Sequence, residues 1–431
     1  MTLQHYGRVL VVGAGVSGRG AVGALVGRVG TIEMAEDDPA RAKAARGITG
    51  VERVAGLDGL DLSGYDLIVV SPGIRPDARL RAAKCEVIGE LELGFRLARS
   101  PMVAVTGTNG KTTVATLAAA MLGERGVLCG NAGTPLSAVA GLEGKVLVVE
   151  VSSFQAYWAN TFTPQAACLL NFTPDHLDWH GTSEEYWRAK TSFFARLEPG
   201  ATAVLNRDDQ SATRVMTEAR RLFFSVSDPA DYGIESGWLT GPNGRLCQTG
   251  ELARSAAHDL SNVLAAWALA ETAGARPEQA RAAATGFAGL AHRIEVVAKI
   301  GGVTYVNDSK ATTPASVAAA LHSFESVVLI AGGKGKGLSY EPLAAVAGRV
   351  RALVAIGEAG RDAAGVLGRF AIPVVEAFSM EEAVARATVL AEGSGVVLLS
   401  PGATSYDWYS SYAERGDHFR RLVAEVKGVP E

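Results

Sequence analysis

The sequence predicts an α/β protein of three domains with mostly parallel, doubly wound sheets. Three observations carry that expectation. Its strand-like segments are short, β-branched and continuously apolar, as in strands buried on both faces. Ala-rich segments of helical character separate many of them, the pattern of crossover connections in a parallel sheet. The length of 431 residues, at about 150 per domain, gives roughly three domains.

Arg8–Val12 is the first apolar run, and a glycine-rich turn follows it. Leu67–Val70, Met102–Val105, Val146–Val151, Ala167–Leu170 and Ala201–Leu205 continue the series. Val303–Val306, Val327–Ala331, Ala352–Ile356 and Val396–Leu399 complete it. Thr112–Leu122, Ser261–Ala273 and the amphipathic Ser183–Arg196 read as helices. One boundary falls at Arg96–Pro101, where a helical segment stops at Ser100-Pro101 before a new strand. Another falls at Ala288–Arg293, after the Ala/Gly-rich Ala282–Gly289. The expected domains are 1–95, 96–289 and 290–431.

Lys and Arg number 41 and Asp and Glu 45, a net charge of −4. That balance excludes a protein whose main task is coating nucleic acid or an anionic membrane. Phosphate recognition therefore has to be local. Hydrophobic residues at 48% and charged residues at 20% exclude a disordered chain. Cys85, Cys129, Cys168 and Cys247 stand far apart, which fits a reducing, cytoplasmic setting without disulfides or structural zinc. No apolar stretch reaches the roughly 18 residues of a membrane span. The run Val9–Val16 lacks the basic leader of a signal peptide. Glycine is the outlier: 50 residues against 16 prolines, clustered in loops after apolar runs.

Ligands of open α/β sheets gather at the carboxyl ends of strands. The residues just after each apolar run are therefore the candidates. Gly13-Ala14-Gly15-Val16-Ser17-Gly18 fits GxGxxG between a strand and a helix, where backbone N–H groups attract a pyrophosphate. Glu33, Glu36 and Asp37 follow about twenty positions on, where a dinucleotide would place its ribose. A UDP-sugar pyrophosphate suits the same loop. Thr106–Thr113 follows the next strand but one. Gly107, Thr108, Asn109 and Gly110 offer N–H groups to phosphates, Lys111 can reach the β/γ oxygens, and Thr112, followed by Thr113, can ligate Mg²⁺. A full Walker A motif would need a glycine at Val105. Glu150, before Val151-Ser152-Ser153, and His176, in Asn171–Asp178, end the following strands. A carboxylate and an imidazole beside a phosphate loop suit a divalent metal. Lys190, judged by its helix alone, reads as a solvated lysine. Asn307–Thr312 follows another strand, with His292-Arg293 at the start of that domain. Lys334 and Lys336 in the glycine loop Gly332–Gly337 suit an anionic substrate. Ser400–Ser405 closes the series.

In this order, GTNGKTT, EVSSFQ, NFTPDHLD, HRIE, NDSKAT and LLSPGATSYD resemble the Mur ligases of bacterial peptidoglycan synthesis over essentially the whole chain. DSKAT, Asp308–Thr312, resembles the branch that adds D-glutamate. The resemblance implies a Rossmann-like N-terminal domain for the UDP part of the substrate, a central P-loop-type ATPase domain, and a Rossmann-like C-terminal domain for the incoming amino acid. It implies Lys111, His176 and Lys190 as catalytic residues, with Lys190 carbamylated. Two Mg²⁺ ions would be held by Thr112, Glu150, His176 and Lys190. ATP would meet the Gly107–Thr113 loop, Asn262 at adenine, Arg293 at the phosphates, and Asp308 on the nucleotide side. The UDP-muramoyl substrate would meet Gly15, Val16, Ser17, Gly18, Ser71, Pro72, Gly73, Asn131 and Ser152. D-Glutamate would meet Lys310, Thr312, Lys336, Ser405 and Tyr412, the last standing where the family more often has Phe. One stretch departs: Glu36-Asp37-Asp38 replaces an Asp-Thr-Arg-like sequence, so a positive group is missing beside the diphosphate.

The implied reaction joins D-glutamate to UDP-N-acetylmuramoyl-L-alanine, with ATP as co-substrate. The substrate carboxylate attacks the γ-phosphate, and the amine then displaces phosphate from the acyl phosphate. Two anions meet in the first step, so neutralisation by Mg²⁺, Lys111 and the loop N–H groups should dominate. Asp175 and His176 are candidates for accepting the amine proton. Arg293 and the DSKAT segment are expected to reach the nucleotide only in a closed form. The expected partners are small molecules, without nucleic acid or membrane, around a monomer. The competing readings are a sister or folate-linked glutamate ligase, an NAD-dependent oxidoreductase resting on GAGVSG, and a silent UDP-sugar-binding module.

Overall fold

A computed structural model describes residues 6–335 and 337–426. The chain divides into two compact units, Met1–Phe287 and Ala288–Glu431. The first unit carries two parallel sheets. Its N-terminal sheet contains β1 (Arg8–Val12), β2 (Thr31–Ala35), β3 (Val51–Ala55), β4 (Leu67–Val70) and β5 (Glu86–Gly89) in the order β3-β2-β1-β4-β5. The order reverses between β1 and β4, which opens a crevice at their carboxyl ends.

The second sheet contains β6 (Met102–Thr106), β7 (Gly126–Gly130), β8 (Val146–Glu150), β9 (Ala166–Leu169), β10 (Thr202–Asn206) and β11 (Arg220–Phe224). Its order is β11-β10-β9-β6-β8-β7. Central β6 therefore ends between the ends of β8 and β9. All five β6 residues are buried, because each sheet face has its own core. Val103, Val105 and Val148 pack on the side of the helices Lys111–Met121 and Ala257–Thr272. Ala104, Leu147 and Val149 face the other core with Phe162 and Phe193. A small antiparallel sheet follows: β12 (Gly233–Glu235), β13 (Trp238–Gly241) and β14 (Gly244–Gln248).

The second unit contains β15 (Glu295–Ile300), β16 (Val303–Asn307), β17 (Val327–Gly332), β18 (Val350–Ile356), β19 (Val374–Ala377) and β20 (Gly395–Leu399). Their order is β15-β16-β20-β17-β18-β19. Only β15 runs antiparallel, joined to β16 by a short turn.

The expected α/β class with mostly parallel sheets is therefore what the chain adopts. One predicted helix is shorter. It runs Ser183–Thr191, and Phe194–Arg196 forms a separate tight turn. That break lets Phe193 and Phe194, adjacent and both fully buried, enter one core. Among the described residues, no helix is long and apolar enough to cross a membrane.

Candidate active site

The crevice of the N-terminal sheet is lined by the turn after β1 and the turn after β4. Gly13 has φ 95°, and a β-carbon there would stand 2.6 Å from Ser71 Oγ. A β-carbon on Gly18 would overlap the Gly13 carbonyl oxygen. Close packing therefore demands both glycines. Gly15 caps the helix Val16–Leu25, with Val16 exposed beside Ser17. Ser71 donates to the Gly13 carbonyl at 3.3 Å, so the two turns form one wall.

The three acids that break the family pattern are engaged by backbone. Glu36 accepts from Ala14 N at 2.8 Å and from Asp38 N at 3.0 Å. Asp37 accepts from Leu57 N at 2.7 Å, and Asp38 caps the helix Pro39–Ala45 through Arg41 N. Positive groups come from elsewhere: Arg19 Nε donates to the Ala14 carbonyl at 3.2 Å, and Arg41 Nε lies 3.9 Å from Glu36. Glu33, also at ribose spacing, is buried against Arg8 and the Tyr65 hydroxyl. The Ser71-Pro72-Gly73-Ile74 turn is held from the neighbouring sheet. Trp158 Nε1 donates to the Ile74 carbonyl at 3.2 Å, and Trp179 Nε1 to that of Gly73 at 3.4 Å.

The second glycine loop follows β6. Gly110 has φ 85° and caps the helix Lys111–Met121, which starts Lys111-Thr112-Thr113. A β-carbon at Gly110 would stand 2.7 Å from Asn262 Oδ1, so Asn262 sits directly on the loop. The end of β9 braces the other side. Asn109 N donates to Asn171 Oδ1 at 2.8 Å, and Asn171 Nδ2 to the Asn109 carbonyl at 3.1 Å. Thr108 Oγ1 donates to the Thr173 carbonyl at 3.0 Å.

Two lysines converge here. Lys111 Nζ donates to the carbonyls of Gly107 (2.8 Å) and Thr108 (2.9 Å). Lys190 Nζ donates to the same Gly107 carbonyl at 2.9 Å. The residues alone made Lys190 a solvated lysine; instead it is 1% exposed. The helix Ser183–Thr191 turns Tyr186, Ala189 and Lys190 inward together. Lys190 Nζ stands 4.7 Å from the Tyr186 ring centroid. A cation over an aromatic face gains about 2 kcal/mol when desolvated, whereas burying the ion costs several. Burial, reinforced by the charge of Lys111, accordingly pushes the Lys190 pKa well below its ordinary value.

Glu150 ends β8 and pairs in register with Val105 of β6. It is buried, and Oε1 accepts from Asn131 Nδ2 at 2.7 Å. Its Oε2 is buried without a hydrogen-bond partner. His176 caps the helix Leu177–His180 with φ 53°. Its ring lies 4.7 Å from Phe154 and 6.2 Å from Tyr186, and its Nε2 is 3.5 Å from Asp175 Oδ2. Ser152 is occupied in a capping box with Gln155.

The predicted residues of the second unit, Lys336 apart, gather around the ends of β16 and β20. Asp308 is buried; its Oδ2 accepts from Ser400 Oγ at 2.8 Å, and its Oδ1 from Ile294 N, the residue after Arg293. Lys310 N donates to the His292 carbonyl, and its Nζ lies 5.6 Å from the Tyr412 ring. Thr312 is half-buried on the same loop. Ser405 is buried after β20, where Thr404 and Lys334 exchange backbone hydrogen bonds. Lys336 lies outside the described residues.

Sequence reasoning quoted Asn171 only as the start of Asn171–Asp178, without a role, and missed Tyr186 and the two tryptophans. Tyr186 carried a usable signal, four residues before Lys190 and so on one helix face. The tryptophans carried none, since their partners are backbone carbonyls 84 and 106 positions away.

Residues 105–270 match the family model of the Mur ligase middle domain, and 292–402 that of the Mur ligase glutamate ligase domain. The UDP-N-acetylmuramoylalanine--D-glutamate ligase of Rubrobacter xylanophilus is 41% identical, spanning 98% of this chain and 99% of its own. Its counterpart in Pelotomaculum thermopropionicum is 39% identical over 97% and 98%. The chain belongs to the Mur ligase family. Solved relatives agree in fold. A pseudomurein peptide ligase type C from Methanothermus fervidus superposes with TM-score 0.62 at 16% identity, covering 98% of this chain and all of its own. The UDP-N-acetylmuramate-alanine ligase of Thermotoga maritima gives 0.60 at 16%, with the same coverage. As a Mur ligase, the chain is an ATP-dependent, amide-bond-forming ligase of peptidoglycan synthesis. The oxidoreductase reading of the Gly13–Gly18 loop falls away.

Proposed function

We propose that this Mur ligase joins D-glutamate to UDP-N-acetylmuramoyl-L-alanine, producing ADP and phosphate through an acyl phosphate. The observation that carries this reading is 35–41% identity, across nearly the full chain, to relatives bearing that name. The residues divide the work as follows. The Gly15–Gly18 and Ser71–Gly73 turns take the UDP portion, and Asn131 and Ser152 the muramoyl portion. Gly107–Thr113 and Asn262 hold ATP, with Arg293 at its phosphates and Asp308 on the nucleotide side. Lys310, Thr312, Lys336, Ser405 and Tyr412 hold D-glutamate. The domains are 1–95, 96–289 and 290–431, in a cytoplasmic monomer.

The buried, unpartnered Glu150 Oε2 fits a hard cation. Thr112, Glu150, His176 and Lys190 as its carbamate would hold Mg²⁺, two ions in all, which would neutralise phosphate charge. Lys111 exchanges its two loop carbonyls for phosphate oxygens as the carboxylate approaches. Lys190, its pKa lowered by burial, is suited to attack CO₂ as a neutral amine: an N–C bond forms and a proton leaves. The Asp175–His176 pair takes the proton that the D-glutamate ammonium sheds before attack.

The test is phosphate release with UDP-N-acetylmuramoyl-L-alanine, ATP and a panel of amino acids. Release with D-glutamate alone is the expected result. Release with L-glutamate and not D-glutamate would overturn the proposal.

A further inference from the structure

Arg415 has the bulkiest fully buried side chain among the described residues. It lies on the helix Tyr412–Glu425, three residues after Tyr412. Its hydrogen-bond acceptors are all neutral. Nε donates to Ser309 Oγ at 3.0 Å, and Nη2 to the Ser309 carbonyl at 2.8 Å. Nη1 and Nη2 both donate to the Ala403 carbonyl at 3.2 Å. Burial pushes the guanidinium pKa down, to about 10, which still leaves it charged at neutral pH.

The Asp407 carboxylate acts on the guanidinium only through space, without a hydrogen bond, so burying the ion remains expensive, and an apolar side chain would fill the space more cheaply. What the guanidinium supplies is a rigid fork of donors that binds two loops at once. Ser309 lies between Asp308 and Lys310. Ala403 lies two residues before Ser405. Ser309 Oγ also donates to the Tyr412 carbonyl at 2.7 Å, which ties the start of the helix to the same point. Beyond Ala403, the Thr404–Lys334 exchange carries the brace into the glycine loop after β17.

We propose that Arg415 is a positioning residue for the amino-acid substrate, bracing the loops that bear Lys310, Thr312, Ser405 and Tyr412 while adding a positive charge behind them. The charge favours an amino acid with two carboxylates. This inference rests on the assignment of D-glutamate to the second unit.

The test uses the full chain and Michaelis constants for all three substrates, with hydroxylamine trapping of the acyl phosphate in the absence of amino acid. Arg415→Met should raise the KM for D-glutamate about tenfold or more, while those for ATP and the UDP substrate change less than about twofold. Trapping should be unchanged. Arg415→Lys keeps the charge but cannot span both loops, so it should fall between the two. Ser309→Ala removes one acceptor and leaves the guanidinium, and should raise the D-glutamate KM about threefold. A merely structural role would move all three constants together, or lower trapping as far as overall turnover; either result overturns the proposal. If Arg415→Met does not fold, Ser309→Ala and Arg415→Lys decide by the same criterion. If the wild type uses a different amino acid, the D-glutamate reading fails, and positioning is judged on the KM of the amino acid used.

Discussion

Two glycine loops open two helices at two sheet crevices, and they treat charge in opposite ways. The Gly13–Gly18 loop has glycines where a β-carbon would collide, and Glu36 accepts one of its N–H groups. Its one loop-bound cation among the described residues is Arg19, a single guanidinium on the Ala14 carbonyl. The Gly107–Gly110 loop places Lys111 on the first helical turn and draws in Lys190 from a distant helix, both on one carbonyl. A diphosphate that is only held can be managed by backbone dipoles and the helix terminus. A phosphoryl group that is transferred develops charge in the transition state, and that is where placed cations repay their burial. On the proposed reading, binding and chemistry are thus separated by side-chain charge, at helix starts whose caps also differ: Gly15 is extended and Gly110 left-handed.

The largest effect expected from this contrast is Lys111→Ala, which should lower the phosphate-release rate by roughly 10³-fold. A loss under tenfold would break the contrast. Next comes Gly18→Ala, whose methyl has no room beside the Gly13 carbonyl. It should cost about 1–3 kcal/mol in denaturant unfolding. Gly15→Ala, with open space around the added carbon, should stay within about 0.5 kcal/mol. Equal costs for the two would refute the packing argument.

Lys190→Met tests the buried amine. Between the lowered native pKa and the ordinary value of about 10.4, the unfolded chain binds more protons at this residue, so wild-type stability rises with pH there by at most about 1.4 kcal/mol per unit. Below the native pKa both states are protonated and the slope vanishes. The methionine variant should flatten the rise in a pH series of urea midpoints; an unchanged slope would count against a depressed pKa. Apart from the Gly15→Ala control, the smallest effect belongs to Glu36→Gln. It turns one carboxylate acceptor toward a donor–donor contact, about 1 kcal/mol. The KM for the UDP substrate should rise about fivefold with that for ATP unmoved.

What was readable in the sequence divides along the sheets. The apolar runs picked out beforehand are β1, β4, β6, β8, β9, β10, β16, β17, β18 and β20, all interior strands. The missed strands of the three large sheets are the edges, β3, β5, β7, β11, β15 and β19, together with β2. Edge strands present one side to solvent or to a covering helix, so their composition mixes Arg, Glu and Gly into the run, as in VERVA of β3. Interior β2 hid for a different reason: Glu33 interrupts it and is neutralised by Arg8. The phosphate loop was legible because its residues are consecutive. Lys190 was not, since a helix pattern says which residues share a face but not that a lysine on it will be buried. Arg415 was invisible for the same reason, with partners 106 and 12 positions away.

The Ser71–Ile74 turn carries a consequence of its own. Two of the six tryptophans in the chain, Trp158 and Trp179, have their indole N–H groups on its carbonyls. Indole emission shifts with the hydrogen bonding and polarity around that N–H. The protein thus carries an optical gauge of the turn after β4, readable without a label and without turnover.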